Sequence, residues 1–312
     1  MFANEVLNGL SAHPKTLSSK WFYDTEGDEL FRAIMAMPEY YLTDSEREIF
    51  QSAAPELLDA LDHEPFDLIE LGAGDGSKTQ LLIEQFLAAG IHFSYRPIDI
   101  SANALVILGE LINRRWPRLP FAPLRGDYFD ALNRLGKRAE DRRRLILFPG
   151  GNIGNFLPEE ALEFLTRLKH FLRPGDFLLT GFDLKKDPAI ILNAYNDAAG
   201  HTAAFNLNLL ARINRELGGD FVLENWRHWE TYDPVSGAAR SFLVAKEACS
   251  VTIADIDAVF TFGPAEAITV EISQKYSREE IQRLANTAGF ELVKNLEDQK
   301  GWFADSLWRV PG

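Results

Sequence analysis

Phe66-Asp67-Leu68-Ile69-Glu70-Leu71-Gly72-Ala73-Gly74-Asp75-Gly76 is the stretch whose reading decides the fold. Its mostly apolar first half, bounded by a glycine cluster, reads as a buried strand, and residues 80–87, with Leu81, Leu82, Phe86 and Leu87 on helical spacing, read as the helix that follows. A strand that runs through a glycine-rich turn into a helix is where open α/β sheets bring their backbone against a ligand. A tight turn that needs positive φ accounts for one or two glycines but not comfortably for three alternating ones.

The same rhythm extends in both directions. Residues 93–98 read as the next strand, 102–112 as a helix and 144–148 as another strand. Pro158-Glu159-Glu160 opens a helix with Ala161, Leu162, Phe164, Leu165, Leu168, Phe171 and Leu172 on one face, stopped by Pro174-Gly175, and 177–182 returns as a strand. Ser277-Arg278-Glu279-Glu280 is a capping box for a helix that turns Ile281, Leu284, Ala285 and Ala288 inward and stops at Gly289. Residues 290–295 and 306–310 read as a closing hairpin.

Two regions break the rhythm. The first ~60 residues are mainly helical with aromatic clusters, and the stretch from 187 to about 270 holds a long helix over 203–217 and antiparallel strands such as 241–245 and 269–273. The expected fold is therefore α/β, a Rossmann-like sheet spanning 46–186 and 275–312, with a second, inserted α+β domain built from 1–45 and 187–274.

Composition narrows the function classes. Of 312 residues, 32 are Lys or Arg and 46 are Asp or Glu, a formal charge of 32 − 46 = −14, which argues against a surface built to hold phosphate backbones. The one dense basic run, Lys137-Arg138 through Arg142-Arg143-Arg144, is broken by Glu140 and Asp141 and reads as a solvated loop. A single cysteine, Cys249, excludes an intrachain disulfide and a cysteine-based zinc site, and six scattered His residues show no metal-binding spacing. Met1-Phe2-Ala3-Asn4-Glu5 lacks the basic start and apolar run of a signal peptide, and no segment approaches the ~18 apolar residues of a membrane span. The expectation is a cytoplasmic protein with a small-molecule substrate, no nucleic acid, no membrane and no required protein partner.

The glycine spacing chooses among cofactors. A dinucleotide fingerprint is G-x-G-x-x-G with an acid ~20 residues on; here the spacing is G-x-G-x-G, with Ser77 where the last glycine of that fingerprint would stand. Acids at Asp67, Glu70 and Asp99 suit a ribose diol, and a ligand without a pyrophosphate needs no anion cradle at the helix start. That matches S-adenosylmethionine better than a nicotinamide dinucleotide, and the pattern resembles motif I of class I methyltransferases. Gly126-Asp127-Tyr128, just before the fourth strand region, resembles the position at which that family reads the adenine amino group.

A closer resemblance spans nearly the whole chain in order. Lys20-Trp21-Phe22-Tyr23-Asp24, Pro38-Glu39-Tyr40-Tyr41, Thr43-Asp44-Ser45-Glu46, Glu70 through Thr79, Phe148-Pro149-Gly150-Gly151-Asn152-Ile153-Gly154-Asn155, Asp183 through Pro188, Ala194-Tyr195, Thr202 through Asn206 and Glu271-Ile272-Ser273 are together similar to the L-histidine Nα-methyltransferases, which make histidine betaine (hercynine) for ergothioneine synthesis. The resemblance implies that Gly72, Gly74, Lys78, Asp99, Asp127 and Tyr128 bind S-adenosylmethionine. It implies that Tyr40, Asn155 and Tyr195 hold the substrate carboxylate and orient its amine, that Glu271 and Ser273 bond the imidazole, and that Tyr23 and Phe31 line the pocket, with Gly150 in the adjoining loop.

The chemistry agrees with those residue types. In-line methyl transfer depends chiefly on positioning, neutral donors hold a carboxylate without adding charge beside a sulfonium, and aromatic faces attract an amine that becomes quaternary. Taken singly, Glu271 on a strand is a solvent-facing residue and Asn155 a turn residue. Two departures stand out: Asn152 replaces a small hydroxyl residue, and Ser241 stands where an apolar side chain is expected near the imidazole. Both add polar groups beside the ring pocket, so methylation of another amino acid, or of a histidine ring nitrogen, is the alternative; a non-catalytic binding protein and a nicotinamide oxidoreductase are the readings from other classes.

Overall fold

The computed structural model describes residues 1–135 and 142–312. Lys137, Arg138, Glu140 and Asp141 of the basic run lie outside the described residues, whereas Arg142 pairs with Asp67 at 3.3 Å and Arg143 with Asp62 at 2.7 Å. The chain divides into two compact units, Met1–Tyr41 with Lys186–Gln274 and Leu42–Lys185 with Lys275–Gly312. Strands are numbered β1 to β13 in chain order.

The larger unit contains β2 (Phe66–Leu71), β3 (Phe93–Asp99), β4 (Leu124–Arg125), β5 (Arg143–Phe148), β6 (Phe177–Asp183), β12 (Glu291–Glu297) and β13 (Phe303–Arg309). They form one sheet in the order β12-β13-β6-β5-β2-β3-β4. Neighbours from β4 through β6 run parallel, β13 is antiparallel to β6, and β12 is antiparallel to β13. This is the α/β, doubly wound arrangement that the sequence rhythm predicts. Every side chain of β2 and β6 is buried, as strands covered by helices on both faces require. Ile69, Leu71, Ile146, Phe148, Leu178, Phe182 and Trp308 share one core with Phe164, Leu165 and Leu168 of the helix Pro158–Lys169. The chain builds outward from β2 to β3 and β4, then returns to add β5 and β6 on the other side, so the strand order reverses at the C-terminal end of β2. Ligands bind at such a reversal because the loops leaving the two directions part there.

The helix Arg278–Thr287 starts as its capping box predicts, with Glu280 N–H donating to Ser277 Oγ at 3.2 Å and Ser277 N–H to Glu280 Oε2 at 2.6 Å. Gly289 ends it at φ 82°. The hairpin strands are longer than the sequence periodicity marks, because β13 continues pairing with β6 back to Phe303.

The smaller unit contains β1 (Lys15–Thr16), β7 (Trp226–Asp233), β8 (Ala238–Ala245), β9 (Cys249–Ile253), β10 (Ala258–Phe262) and β11 (Ala267–Gln274). Four of these form a sheet in the order β1-β11-β8-β7, and β9 and β10 pair as a hairpin. β1 comes from the N-terminal segment and pairs parallel with β11, which ties the two distant parts of the chain together. The helix His201–Leu217 packs Phe205, Leu209, Leu210 and Ile213 into a core with Phe22, Trp226, Leu243 and Ile268. Asp24 caps the helix Thr25–Met35 through Gly27 N–H at 2.7 Å and also accepts from Asn208 at 2.9 Å and from Arg215. Burial opposes ionisation of Asp24, but these donors hold it below the ordinary carboxylate value.

Candidate active site

β2 delivers the chain into a turn whose three glycines have φ of 74°, 54° and 66° at Gly72, Gly74 and Gly76. A Cβ at Gly72 would lie 3.0 Å from Tyr128 Oη and one at Gly76 2.5 Å from Leu108 Cδ1, whereas one at Gly74 would meet no atom within 4 Å. Two of the glycines are thus demanded by close packing as well as by the backbone. The middle one is demanded by the backbone alone, and it keeps the surface before it open to a ligand.

Asp99, ending β3, is 9 % exposed. Its Oδ2 accepts the Gly74 N–H at 2.9 Å and its Oδ1 the Ser101 N–H at 2.8 Å. Each oxygen keeps a lone pair, so the carboxylate is held ready for the two hydroxyls of a ribose diol. Asp127 requires a correction: Gly126-Asp127-Tyr128 does not lead into a strand but follows β4, and Asp127 caps the helix Tyr128–Arg134 with Oδ1 accepting Phe129 N–H at 2.9 Å. Aspartate is a preferred N-cap, and the cap fixes the side chain while leaving it exposed at the sheet's edge. The Tyr128 ring stands 5.8 Å from that of Phe148 and 6.1 Å from that of Phe164. Burial, helped by the charges of Asp99 and Asp127, pushes its hydroxyl above the ordinary tyrosine value and keeps it neutral.

Lys78 leaves the turn and pairs with Glu46 of the helix Leu42–Phe50, a residue with no exposed surface. Glu46 Oε1 also accepts the Gly150 N–H at 2.6 Å. On β2, Glu70 accepts from Thr79 Oγ1 at 2.5 Å and from the Tyr95 hydroxyl, and burial lifts its pKa to about 7. The loop after β5 passes through Gly150 and Gly151 at φ 79° and 70° into the short turn Asn152–Asn155. Asn152 Nδ2 donates to Pro149 O at 2.9 Å and stands 3.6 Å from where a Cβ of Gly72 would be. Asn152 therefore lies against the glycine turn. Asn155 ends the short turn and is exposed.

The smaller unit brings most of the other expected residues together. Tyr23, Phe31, Tyr40 and Tyr195 form a continuous edge-to-face series with centroid separations of 5.5, 6.2 and 6.2 Å. Phe205 backs it, 5.6 Å from Tyr23 and 5.7 Å from Phe31. Tyr195 Oη meets Ser273 Oγ at 2.8 Å, and His228 Nε2 meets the Tyr195 carbonyl at 2.9 Å. A carbonyl only accepts, so His228 is held with its proton on Nε2; burial keeps its pKa below the ordinary histidine value.

Glu271 owes its position to a β-bulge. The β11–β8 register runs Ile268 to Leu243 and Thr269 to Phe242, then shifts so that Glu271, not Val270, faces Ser241. Side chains alternate between the faces of a strand, so the extra residue moves Glu271 onto the face that carries Ser241 and Leu243. Ser241 in turn pairs with Glu230 of β7. Its hydroxyl donates to Glu230 Oε2 at 2.7 Å, with Glu271 Oε2 at 3.5 Å. Ser241 therefore sets a hydroxyl between two carboxylates, in a row across three strands.

Asp305, His228 and Glu230 carry no motif and went unmarked in the sequence, and Glu46 was quoted within the resembling segment 43–46 but given no role. A usable signal exists for Asp305, an acid in a closing strand that also carries Phe303, Ala304, Leu307 and Trp308, since an acid in a mostly apolar strand is rarely left without a role. Among the described residues no group of side chains could hold a metal ion, and no helix is long and apolar enough to cross a membrane.

Residues 2–310 match the family model described as histidine-specific methyltransferase, SAM-dependent. The histidine N-alpha-methyltransferase of Mycolicibacterium smegmatis is 37% identical over 303 residues, covering 97% of this chain and 93% of that protein. Its Mycobacterium tuberculosis counterpart is 35% identical over the same shares of both chains. The ergothioneine biosynthesis protein 1 of Neurospora crassa is 33% identical over 286 residues, 90% of this chain and 32% of that much longer protein.

Proposed function

The chain belongs to the family of histidine-specific, S-adenosylmethionine-dependent methyltransferases, and on that premise we propose that it transfers three methyl groups in succession to the α-amino nitrogen of L-histidine, giving hercynine. The doubly wound sheet is that of a class I methyltransferase, and S-adenosylmethionine is the methyl donor. The substrate is a small molecule, a free amino acid, and the work belongs in the cytoplasm.

Bound S-adenosylmethionine supplies a methyl group activated on a sulfonium. Asp99, held by two backbone N–H groups, takes the ribose diol, and Asp127 takes the adenine amino group beside the Tyr128 ring. Gly74 leaves room for the donor's backbone-side approach, and the residues fit such a ligand: an open glycine, a preset diol acceptor and a lysine at the turn. Tyr40 and Tyr195 hold the substrate carboxylate and present their ring faces to an amine that ends as a quaternary ammonium. Gly150 carries the loop in which Asn152 and Asn155 stand. Each transfer needs a nitrogen with a free lone pair, so the ammonium must give up one proton before each of the three transfers, and neutral hydroxyls nearby do not raise its cost of doing so.

One observation carries the reading: Glu271 and Ser273 share one face of β11, the face on which Ser273 meets Tyr195, and the bulge at Val270 turns that face to the side that carries Ser241. A carboxylate and a hydroxyl set one residue apart on that face accept from and donate to the two sides of an imidazole, and an analogue unable to answer both is penalised strongly. Incubation of the pure protein with histidine and the methyl donor gives mono-, di- and trimethylated products by mass; no mass gain with any free amino acid would remove the proposal. The Glu230–Ser241–Glu271 row favours a second reading, a different side chain or a ring nitrogen as acceptor. Product fragmentation that locates the methyl group decides between them.

A further inference from the structure

We propose that Glu46 and Asp305 form a proton-sharing carboxyl pair that positions Lys78 and the Gly150 backbone for the carboxylate of the methyl donor. The inference rests on the donor-binding reading above and deepens it by naming residues that touch no ligand.

Three elements of the larger unit converge here. Glu46 comes from the helix Leu42–Phe50, Lys78 from the end of the glycine turn, and Asp305 from the middle of β13. Glu46 and Asp305 both have no exposed surface, whereas the Lys78 side chain is 22% exposed. Glu46 uses one oxygen for the Gly150 N–H at 2.6 Å and the other for the Lys78 ammonium. Directly across from Asp305 on β6 is Gly181, where a Cβ would stand 2.7 Å from Glu46 Oε1 and 2.9 Å from the Phe303 ring. A larger residue at 181 would push the Glu46 carboxylate off the Gly150 loop, so the sheet makes room for this contact.

Asp305 is the informative member. Among the described residues neither of its oxygens meets an N–H or O–H donor, and the partner within hydrogen-bond reach is the Glu46 carboxyl. Two carboxyl groups can hydrogen-bond only by sharing a proton. Burial, and then the Glu46 charge, hold Asp305 well above the ordinary carboxylate value, with Lys78 opposing. The other charged group facing the cluster is Glu70 on β2, whose carboxylate senses both Lys78 and Glu46.

The charge count follows. With the shared proton in place, one carboxylate balances one ammonium, and the third group is neutral. Glu46 is then fixed from three sides. Lys78, which has three N–H donors and spends one on Glu46, keeps others to direct outward at an anion. When the proton leaves, two buried anions face one ammonium, a state that burial makes costly, and the cluster relaxes away from the geometry that holds Lys78 and Gly150.

The test is the affinity for S-adenosylhomocysteine, measured by calorimetry between about pH 7 and pH 9.5 for the wild type, Asp305→Asn and Lys78→Ala. Titration of the ligand's own amine is common to all three. An asparagine N–H donates to Glu46 at every pH, so the wild type loses about tenfold more affinity than Asp305→Asn across that range. Superimposable profiles for the wild type and Asp305→Asn, with Lys78→Ala clearly weaker than both, overturn the carboxyl pair and leave the donor-binding reading standing. Undiminished binding by Lys78→Ala overturns the donor-binding role of Lys78 and the inference with it. Should Asp305→Asn not fold, infrared spectra of the wild type above about pH 8, where Glu70 is ionised, decide the matter: a carboxylic-acid C=O band supports the shared proton, and its absence overturns it.

Discussion

Glu271 stands directly opposite Ser241 on the neighbouring strand, and a single extra residue, Val270, puts it there. In unbroken register Val270 would face Ser241, and Glu271 would point to the other side of the sheet. The acid assigned to the imidazole is thus presented by an irregularity in the ladder, as bulges beside functional sites commonly re-aim a side chain.

Replacing Glu271 with alanine leaves Ser273 and the Tyr195 hydroxyl in place but removes the acceptor for a ring N–H. The expected loss is about 100-fold in kcat/KM for histidine, about 3 kcal/mol, in line with a charged hydrogen bond removed from a half-buried site. Affinity for S-adenosylhomocysteine should change by no more than about twofold, because the two ligands use different residues. Equal losses in both would contradict the assignment.

Asp99 tests the other half. Asparagine preserves its shape but offers only one acceptor oxygen, so it cannot satisfy both the Gly74 and the Ser101 N–H groups while also receiving a diol. Asp99→Asn should weaken S-adenosylhomocysteine binding by roughly 10- to 100-fold. Calorimetry checks this, and an unchanged dissociation constant would show that the carboxylate serves the turn alone.

The three glycines of the turn should separate folding from binding. Gly76→Ala drives a Cβ to 2.5 Å from Leu108 and adds positive-φ strain, so its cost falls mainly on stability. Gly74→Ala meets no neighbour within 4 Å, and its stability loss should stay near the ~1–2 kcal/mol of backbone strain while donor affinity falls steeply. Thermal unfolding with and without S-adenosylhomocysteine distinguishes the two.

Glu70 predicts a pH dependence of stability. Burial raises it from 4.5 to about 7 in the folded protein, against the pull of the Thr79 and Tyr95 hydrogen bonds and of the Lys78 charge. Between those two values the folded chain keeps a proton that the unfolded chain releases, so the contribution is greatest below pH 4.5 and is lost as the pH rises through about 7. The full change is about 3 kcal/mol. Glu70→Gln should remove it, so urea unfolding at pH 5 and pH 8 should show a smaller stability difference for the variant than for the wild type. An identical difference would mean that Glu70 ionises normally.

Much of this was legible in the linear chain, for a local reason. The strand–glycine–helix unit at 66–88, the proline-started helix at 158 and the Ser277–Glu280 capping box are written in residues close together in sequence, where alternation, φ tolerance and cap chemistry act over a few positions. The ordered resemblance supplied the family and with it the residues to examine. Asp127 was misread in its setting because a capping aspartate and a turn aspartate look alike without knowing where β4 ends.

What the chain alone determined is the doubly wound sheet with its glycine turn and the class of donor, which are set by local pattern, and, through the ordered resemblance, the family of acceptors. Only the tertiary structure decided which side of β11 carries Glu271, that Ser241 links it to Glu230, and that Glu46, Lys78 and Asp305, more than 200 residues apart at their extremes, share one buried cluster. A strand's facing depends on its register with a partner, and a buried charge depends on what folds over it; both are products of long-range pairing that no short window of sequence contains.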